Sequence, residues 1–146
     1  MLAVPACQES DTRNRCGWTG GGEVFASSCP PPSYLRLISG TVTDMSGRPV
    51  SGTRVNVISQ SLRPAGCVWH GPVRALVTSP AGGYSERLGS TGPVGCVRVR
   101  VRPAEELGLA EVLLDTTGVT YYDSRDPTIA TDTLIINVAL PSAPSS

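Results

Sequence analysis

The sequence predicts a single all-β domain with the architecture of a β-sandwich. Its apolar residues occur in short runs rich in β-branched side chains, and turn-forming residues separate these runs every eight to fifteen residues or so. No segment repeats its apolar residues with a convincing helical period. The chain has 146 residues, which allows one domain of ordinary size with a sizeable core.

Seven runs are predicted to be strands: 34–43, 53–59, 73–78, 84–88, 97–102, 111–115 and 133–140. Turns rich in Gly and Pro follow the first and third runs, at 45–49 and 79–83. The fifth run has a strict period of two, with three valines on one face and Arg98, Arg100 and Arg102 on the other.

The chain divides into three parts by composition. Residues 1–33 show no sustained periodicity and contain three consecutive glycines and three consecutive prolines, which predicts an irregular extension. Residues 34–140 form the predicted sandwich, and residues 141–146 are predicted to be a flexible tail.

Charge and composition disfavour several classes of function. The 12 basic and 12 acidic side chains give a formal net charge of zero, so a nucleic-acid partner is not expected. All basic residues are Arg, which excludes a lysine nucleophile or Schiff base. The single His cannot supply a His-rich zinc site. We therefore expect no catalysis, no metal and no cofactor.

Four of the five cysteines form two local groups, Cys16 with Cys29 and Cys67 with Cys96. Three pairings of these four are possible. We favour the bridges 16–29 and 67–96, because short loops close most readily. Such bridges indicate export to an oxidising compartment, and the alternative is a cytosolic protein with reduced thiols.

The fifth cysteine, Cys7, follows the residues LAVPA. This stretch resembles the end of a bacterial lipoprotein signal peptide, in which a small residue precedes a cysteine that becomes lipidated; Pro5 departs from the usual pattern. The predicted localisation is extracytoplasmic, with Cys7 as the one expected membrane attachment.

Residues 40–57 read GTVTDMSGRPVSGTRVNV and resemble the pattern GxVxDxxGxPxxGxxVxV of the carboxypeptidase regulatory-like domain family. Residues 78–84, TSPAGGY, are similar to the family's TDxxGxY turn, with Ser79 in place of Asp. The resemblance covers roughly residues 37–140. It implies a seven-stranded, transthyretin-like (prealbumin-like) Greek-key sandwich. Gly40 and Gly52 are expected to allow strands to cross where a Cβ would crowd.

Catalytic relatives with this fold do not match the residues of the chain. Hydroxyisourate hydrolases need several histidines, and intradiol dioxygenases hold iron with two Tyr and two His. Tyr121 and Tyr122 are adjacent and would point in opposite directions in a strand. The isopeptide bond of collagen-adhesin domains needs a Lys, which is absent.

Three groups of residues have both a functional and a structural interpretation. The arginines at 98, 100 and 102 could bind acidic polysaccharide or lipid phosphate, or form a solvated face paired with carboxylates such as Glu86. Trp69, His70 and Trp18 could contact a sugar ring or cover the disulfides and the edge of the core. The acidic residues of segment 123–126 could bind calcium, but turn formation is favoured.

We therefore predict a non-catalytic, exported structural or interaction module of the bacterial cell envelope, with a protein partner. The alternative is a carbohydrate-binding accessory domain that uses Trp69, Trp18 or Tyr121 as stacking platforms. An enzyme with a reactive cysteine is a third option.

Overall fold

The computed structural model describes residues 33–69 and 73–144. The predicted extension up to residue 32 lies outside the described residues, and with it Cys7, Cys16, Trp18 and Cys29. His70 lies outside them as well.

The described residues form ten strands: β1 Tyr34–Asp44, β2 Arg54–Arg63, β3 Gly66–Cys67, β4 Val73–Val77, β5 Gly83–Ser90, β6 Val94–Arg102, β7 Val112–Thr120, β8 Tyr122–Asp123, β9 Thr133–Ile135 and β10 Val138–Leu140. Two short 3-10 turns, Glu105–Leu107 and Pro127–Ala130, complete the regular structure of this part. It contains no helix long and apolar enough to span a membrane.

Two sheets form the fold. In the first, β1 lies between β10 and β5 and also pairs with β8 and β9; β9 and β10 run parallel to it. In the second, the order is β3-β2-β6-β7, with β4 also on β2, and all pairs are antiparallel. The prediction of an all-β sandwich is confirmed.

The core lies between the sheets and follows the predicted alternation of β6. Val97, Val99 and Val101 are fully buried, as are Val55 and Val57 on the neighbouring strand. The first sheet contributes a second set of buried side chains, namely Ile38, Val42, Leu88, Val138 and Leu140. Period two therefore assigns the inner face of β6 correctly, because each buried valine sits two residues from the next.

The strand count differs from the predicted seven because the last run is divided and two short strands are added. The run 133–140 forms β9 and β10, both paired with β1. Between them, the amide of Ile136 donates to the Ser39 carbonyl, and the side-chain oxygen of Asn137 accepts the Thr41 amide proton at 2.9 Å. A side-chain acceptor thus replaces a backbone acceptor where the ladder is interrupted.

Gly40 and Gly52 have different structural roles. A Cβ at Gly40 would lie 1.9 Å from the carbonyl oxygen of Ile136, so the expectation of close strand approach is correct there. At Gly52 a Cβ would meet no atom within 4 Å, and the expectation is wrong: this glycine is needed for its backbone φ of +68° in the turn.

Gly40→Ala should destabilise the fold by about 2–3 kcal/mol, because backbone atoms must move to admit the methyl group. Gly89→Ala is the matched control, since its Cβ would lie no closer than 3.8 Å to any atom. Urea unfolding of both variants gives the comparison. Equal stability of the two would contradict the close approach of Ile136 to Gly40.

Asp44 organises the turn between β1 and β2. One carboxylate oxygen accepts protons from the Ser46 amide, the Ser46 hydroxyl and the Arg48 amide, at 2.9, 2.6 and 3.0 Å. The hydrogen bond from the Ser46 side chain, with those from the two amides, lowers the pKa of Asp44 to about 2. Gly47, at φ +88°, completes the turn.

The depressed pKa of Asp44 predicts a pH-dependent contribution to stability. This contribution is fully present above pH 4 and is lost as the pH falls towards 2, because the unfolded chain binds the proton first. The difference in free energy of unfolding between the unmodified chain and Asp44→Asn should therefore shrink between pH 5 and pH 2. A difference that stays constant over this range would contradict the assignment.

Candidate functional site

One end of the sandwich is polar on its inner side. Along β2, the residues that share a face are Val55, Val57, Ser59, Ser61 and Arg63. The two valines are buried, the serines are half-buried and Arg63 is exposed. We call the region where β2 and β5 end, and where β1 and β6 begin, the polar end.

A cleft of about 380 Å³ opens at the polar end. Its lining comes from the ends of two strands and the turn after β5: Ser59, Gln60, Ser61, Arg63, Gly89, Ser90 and Thr91. The Ser61 hydroxyl contacts those of Ser90 and Thr91, and the Ser59 hydroxyl donates to the Gly89 carbonyl at 2.8 Å. The cleft is therefore lined by hydroxyl groups and one guanidinium, with no carboxylate among its lining residues.

Arg36 is a buried charged residue on the inner face of β1, near this cleft. It is 9% exposed and shares a face of β1 with Ile38 and Val42. Its guanidinium donates to the Thr120 carbonyl at 3.0 Å and lies 3.4 Å from the Asp132 carboxylate. Because β7 belongs to the other sheet, this one side chain joins the two sheets, while its buried Nε has no hydrogen-bond partner in the part of the chain that the structure describes.

The adjacent residues Tyr121 and Tyr122 have different environments. Tyr121 is 2% exposed; its hydroxyl lies 2.6 Å from that of Ser59, and burial raises its pKa. Its use as a stacking platform for sugars is therefore excluded. Tyr122 donates a hydrogen bond to Asp132, which raises the pKa of Tyr122, and its ring lies 5.4 Å from the Arg36 guanidinium carbon.

A disulfide joins Cys67 of β3 to Cys96 of β6. Since Cys67 also pairs with Leu62, the bridge fixes the end of β2 that carries Arg63. Two residues further on, the half-buried Trp69 places its ring 4.4 Å from the guanidinium carbon of Arg98. This aromatic face is occupied by a protein side chain rather than presented to solvent.

The arginines on the outer face of β6 are paired with acids. Arg98 makes two hydrogen bonds to Asp115, at 2.7 and 2.8 Å, and the pKa of Asp115 is lowered by them. Arg100 and Arg102 both contact Glu111, at 2.6 and 3.3 Å. The partner expected from the sequence, Glu86, is wrong because it lies on β5 in the other sheet.

The acidic segment after β8 forms turns. Asp123 accepts hydrogen bonds from Arg125, and Asp126 accepts one from the Thr128 amide at the start of a 3-10 turn. Among residues 33–69 and 73–144, no three His, Cys, Asp or Glu side chains are placed to hold a metal ion.

A larger cleft of about 700 Å³ lies at the opposite end of β1, with Met45 and Leu107 exposed at its rim. Its charged groups, Asp44 and Arg48, are bonded to each other and to Ser46 within the turn. These charged groups stabilise the turn, whereas the Arg63 guanidinium of the polar end has no acid partner among the described residues.

The residues of the polar end were not singled out from the sequence. An indication was present in the alternation of β1 and β2, where Arg36 and Arg63 fall on the same phase as buried apolar residues. The partners of Arg36, at Thr120 and Asp132, are more than 80 residues away. Their proximity is a property of the tertiary structure.

No protein-family model matches the chain, and no curated protein is significantly similar to it. Solved structures do share the fold. Catechol 1,2-dioxygenase from Acinetobacter sp. ADP1 aligns with a TM-score of 0.50 and 13% identity over 75% of this chain and 53% of its own. The enzyme from Pseudomonas arvilla C-1 gives 0.53 and 15%, over 80% and 55%. A mutant of the Acinetobacter radioresistens enzyme gives 0.50 and 19%, over 77% and 55%.

These alignments correct the functional interpretation. The chain spans about half the length of the solved structures it matches, and at these identities the likeness concerns the fold. The prediction of a non-catalytic envelope or carbohydrate-binding module is contradicted, because the fold is that of named enzymes. The expectation that the chain is not an enzyme is contradicted on the same ground.

The iron site of intradiol dioxygenases does not fit the residues of this chain. That site uses two Tyr and two His, and the chain has a single His. Three of its four tyrosine hydroxyls are also committed to protein partners: Tyr84 to the Ile136 carbonyl, Tyr121 to Ser59 and Tyr122 to Asp132. No reaction step is therefore assigned to iron.

Addition of one equivalent of ferric iron to the purified chain should produce no visible phenolate-to-iron charge-transfer absorption, because three of the four tyrosine hydroxyls already have partners and the chain has a single His. A catechol 1,2-dioxygenase stripped of metal and treated identically is the positive control. A stoichiometric band that disappears in Tyr122→Phe would show that the donor set has been misjudged.

Proposed function

We propose that this chain is the substrate-binding sandwich of an enzyme, and that a small polar molecule binds at the polar end. The main support for this proposal is that the side chains on the inner face of β2 change from buried valines to serines and then to Arg63. A strand that only closed a core would keep apolar residues on that face.

The shape and surroundings of the cleft support this choice. Its volume, about 380 Å³, falls in the range typical of small-molecule sites. Its walls are held by the Ser59–Tyr121 contact on one side and by the Cys67–Cys96 disulfide near the other. Rigid walls reduce the ordering cost of binding.

An enzymatic role is supported by the fold that the chain shares with the catechol 1,2-dioxygenases. Because the alignment covers about half of those enzymes, we propose only that this chain binds the substrate, and we propose no metal chemistry for it.

We also propose the family and the compartment that the sequence predicts. Membership of the carboxypeptidase regulatory-like family is supported by its turn motifs, in which Gly47, Gly52 and Gly82 have the positive φ that only glycine adopts readily. Work in an extracytoplasmic, oxidising compartment is supported by the Cys67–Cys96 disulfide.

A screen of small polar fragments by ¹⁵N chemical-shift mapping tests the proposed site. Bound fragments should perturb the amides of residues 59–63 and 89–92, because these segments line the cleft. Ser61→Val should weaken the binding of these fragments about three- to tenfold by removing one hydroxyl from the wall.

Ser85→Val is the matched control, since Ser85 is an exposed residue of β5 outside this cleft. It should leave fragment binding unchanged. Perturbations that cluster around Met45 and Leu107, or that occur nowhere, would refute the assignment of the site to the polar end.

A further inference from the structure

Arg63 supplies the cleft at the polar end with a positive charge that no acid of residues 33–69 and 73–144 neutralises. Its side chain is exposed and, within the described part of the chain, makes no hydrogen bond or ion pair. By contrast, the three arginines of β6 are all paired with Asp115 or Glu111. The guanidinium of Arg63 therefore keeps its full set of donors for a ligand.

The hydroxyl groups of the cleft have an O–H donor to spare. Ser61, Ser90 and Thr91 carry three hydroxyl protons between them, and only two hydroxyl–hydroxyl contacts join them, Ser61 to Ser90 and Ser61 to Thr91. Since each contact uses one proton, one O–H is left without an acceptor among the described residues. A ligand with several acceptor oxygens would satisfy both this hydroxyl and the guanidinium.

The backbone fixes the position of Arg63 at the mouth of the cleft. Arg63 pairs with Gly66 across a tight hairpin, and Gly66 has a φ of +111°. The next residue, Cys67, is bonded to Cys96, which itself pairs with Gln60 of β2. The hairpin is therefore tied to the sheet within a few residues of Arg63.

We infer that the cleft lined by Ser61, Arg63, Ser90 and Thr91 binds an oxyanion, such as the carboxylate or phosphate group of a small ligand. The inference rests on the proposed function and gives its ligand a chemical class. Several acceptor oxygens and a negative charge match the donors of the cleft, and no lining carboxylate opposes them.

Arg54, at the other end of β2, provides a contrast. It is exposed and lines a cleft of about 320 Å³ whose other lining residues are Gly52, Val77, Arg102, Pro103 and Ala104. That cleft has no side-chain hydroxyl, and its second arginine is paired with Glu111. It therefore provides a positive charge without the additional donors.

Titration calorimetry and chemical-shift mapping with inorganic phosphate, with acetate and with neutral glycerol test the inference. Phosphate or acetate should bind at residues 59–63 and 89–92, and more weakly as NaCl is raised. Arg63→Gln should weaken that binding about tenfold or more, whereas Arg54→Gln should leave it unchanged. Tighter binding of phosphate than of acetate would indicate a ligand with a phosphate group, and the reverse would indicate a ligand with a carboxylate.

Equal losses in both variants, or no loss in Arg63→Gln, would overturn the inference. Fragments that bind at the polar end while phosphate and acetate do not would also overturn it, yet leave the proposed function standing. If neither fragments nor anions perturb the polar end, both proposals fail.

Discussion

The alternation of side chains along β6 determines both the centre of the core and the charged outer face of the second sheet. Its three inward valines meet Val55 and Val57 and form the centre of the core. The same alternation places three arginines on the outer face, where they contact Asp115 of β7, Glu111 just before β7, and Trp69. Each arginine of this strand contacts an acid, but Arg100 and Arg102 share Glu111, so two acids balance two of the three positive charges.

The polar end is a consequence of how the sandwich is closed. At this end of the sandwich, the inner positions are filled by groups that can form hydrogen bonds. Arg36 bonds across the two sheets, Tyr121 contacts Ser59, and β2 contributes its serines. The buried guanidinium of Arg36 joins the sheets, and its Nε is left without a hydrogen-bond partner among the described residues. Closure of the core and formation of the cleft therefore use the same part of the molecule.

Local features could be predicted from the sequence, whereas long-range partners could not. The alternation of β6 and the turn at Gly47 depend on neighbours in the chain, so the fold class and most strand positions were accessible. The acid opposite Arg100 depends on register between strands, which is why Glu86 was expected and Glu111 is found. The contacts of Arg36 and the likeness of the fold to that of catechol 1,2-dioxygenases likewise depend on the assembled sandwich.

A crystal structure of the chain grown with saturating inorganic phosphate tests the anion site directly. We expect a phosphate ion in the cleft of the polar end, with oxygens within hydrogen-bond distance of the Arg63 guanidinium and of a hydroxyl from Ser61, Ser90 or Thr91. A phosphate bound at the outer arginines of β6 or beside Arg54, with the polar end filled by water alone, would contradict it.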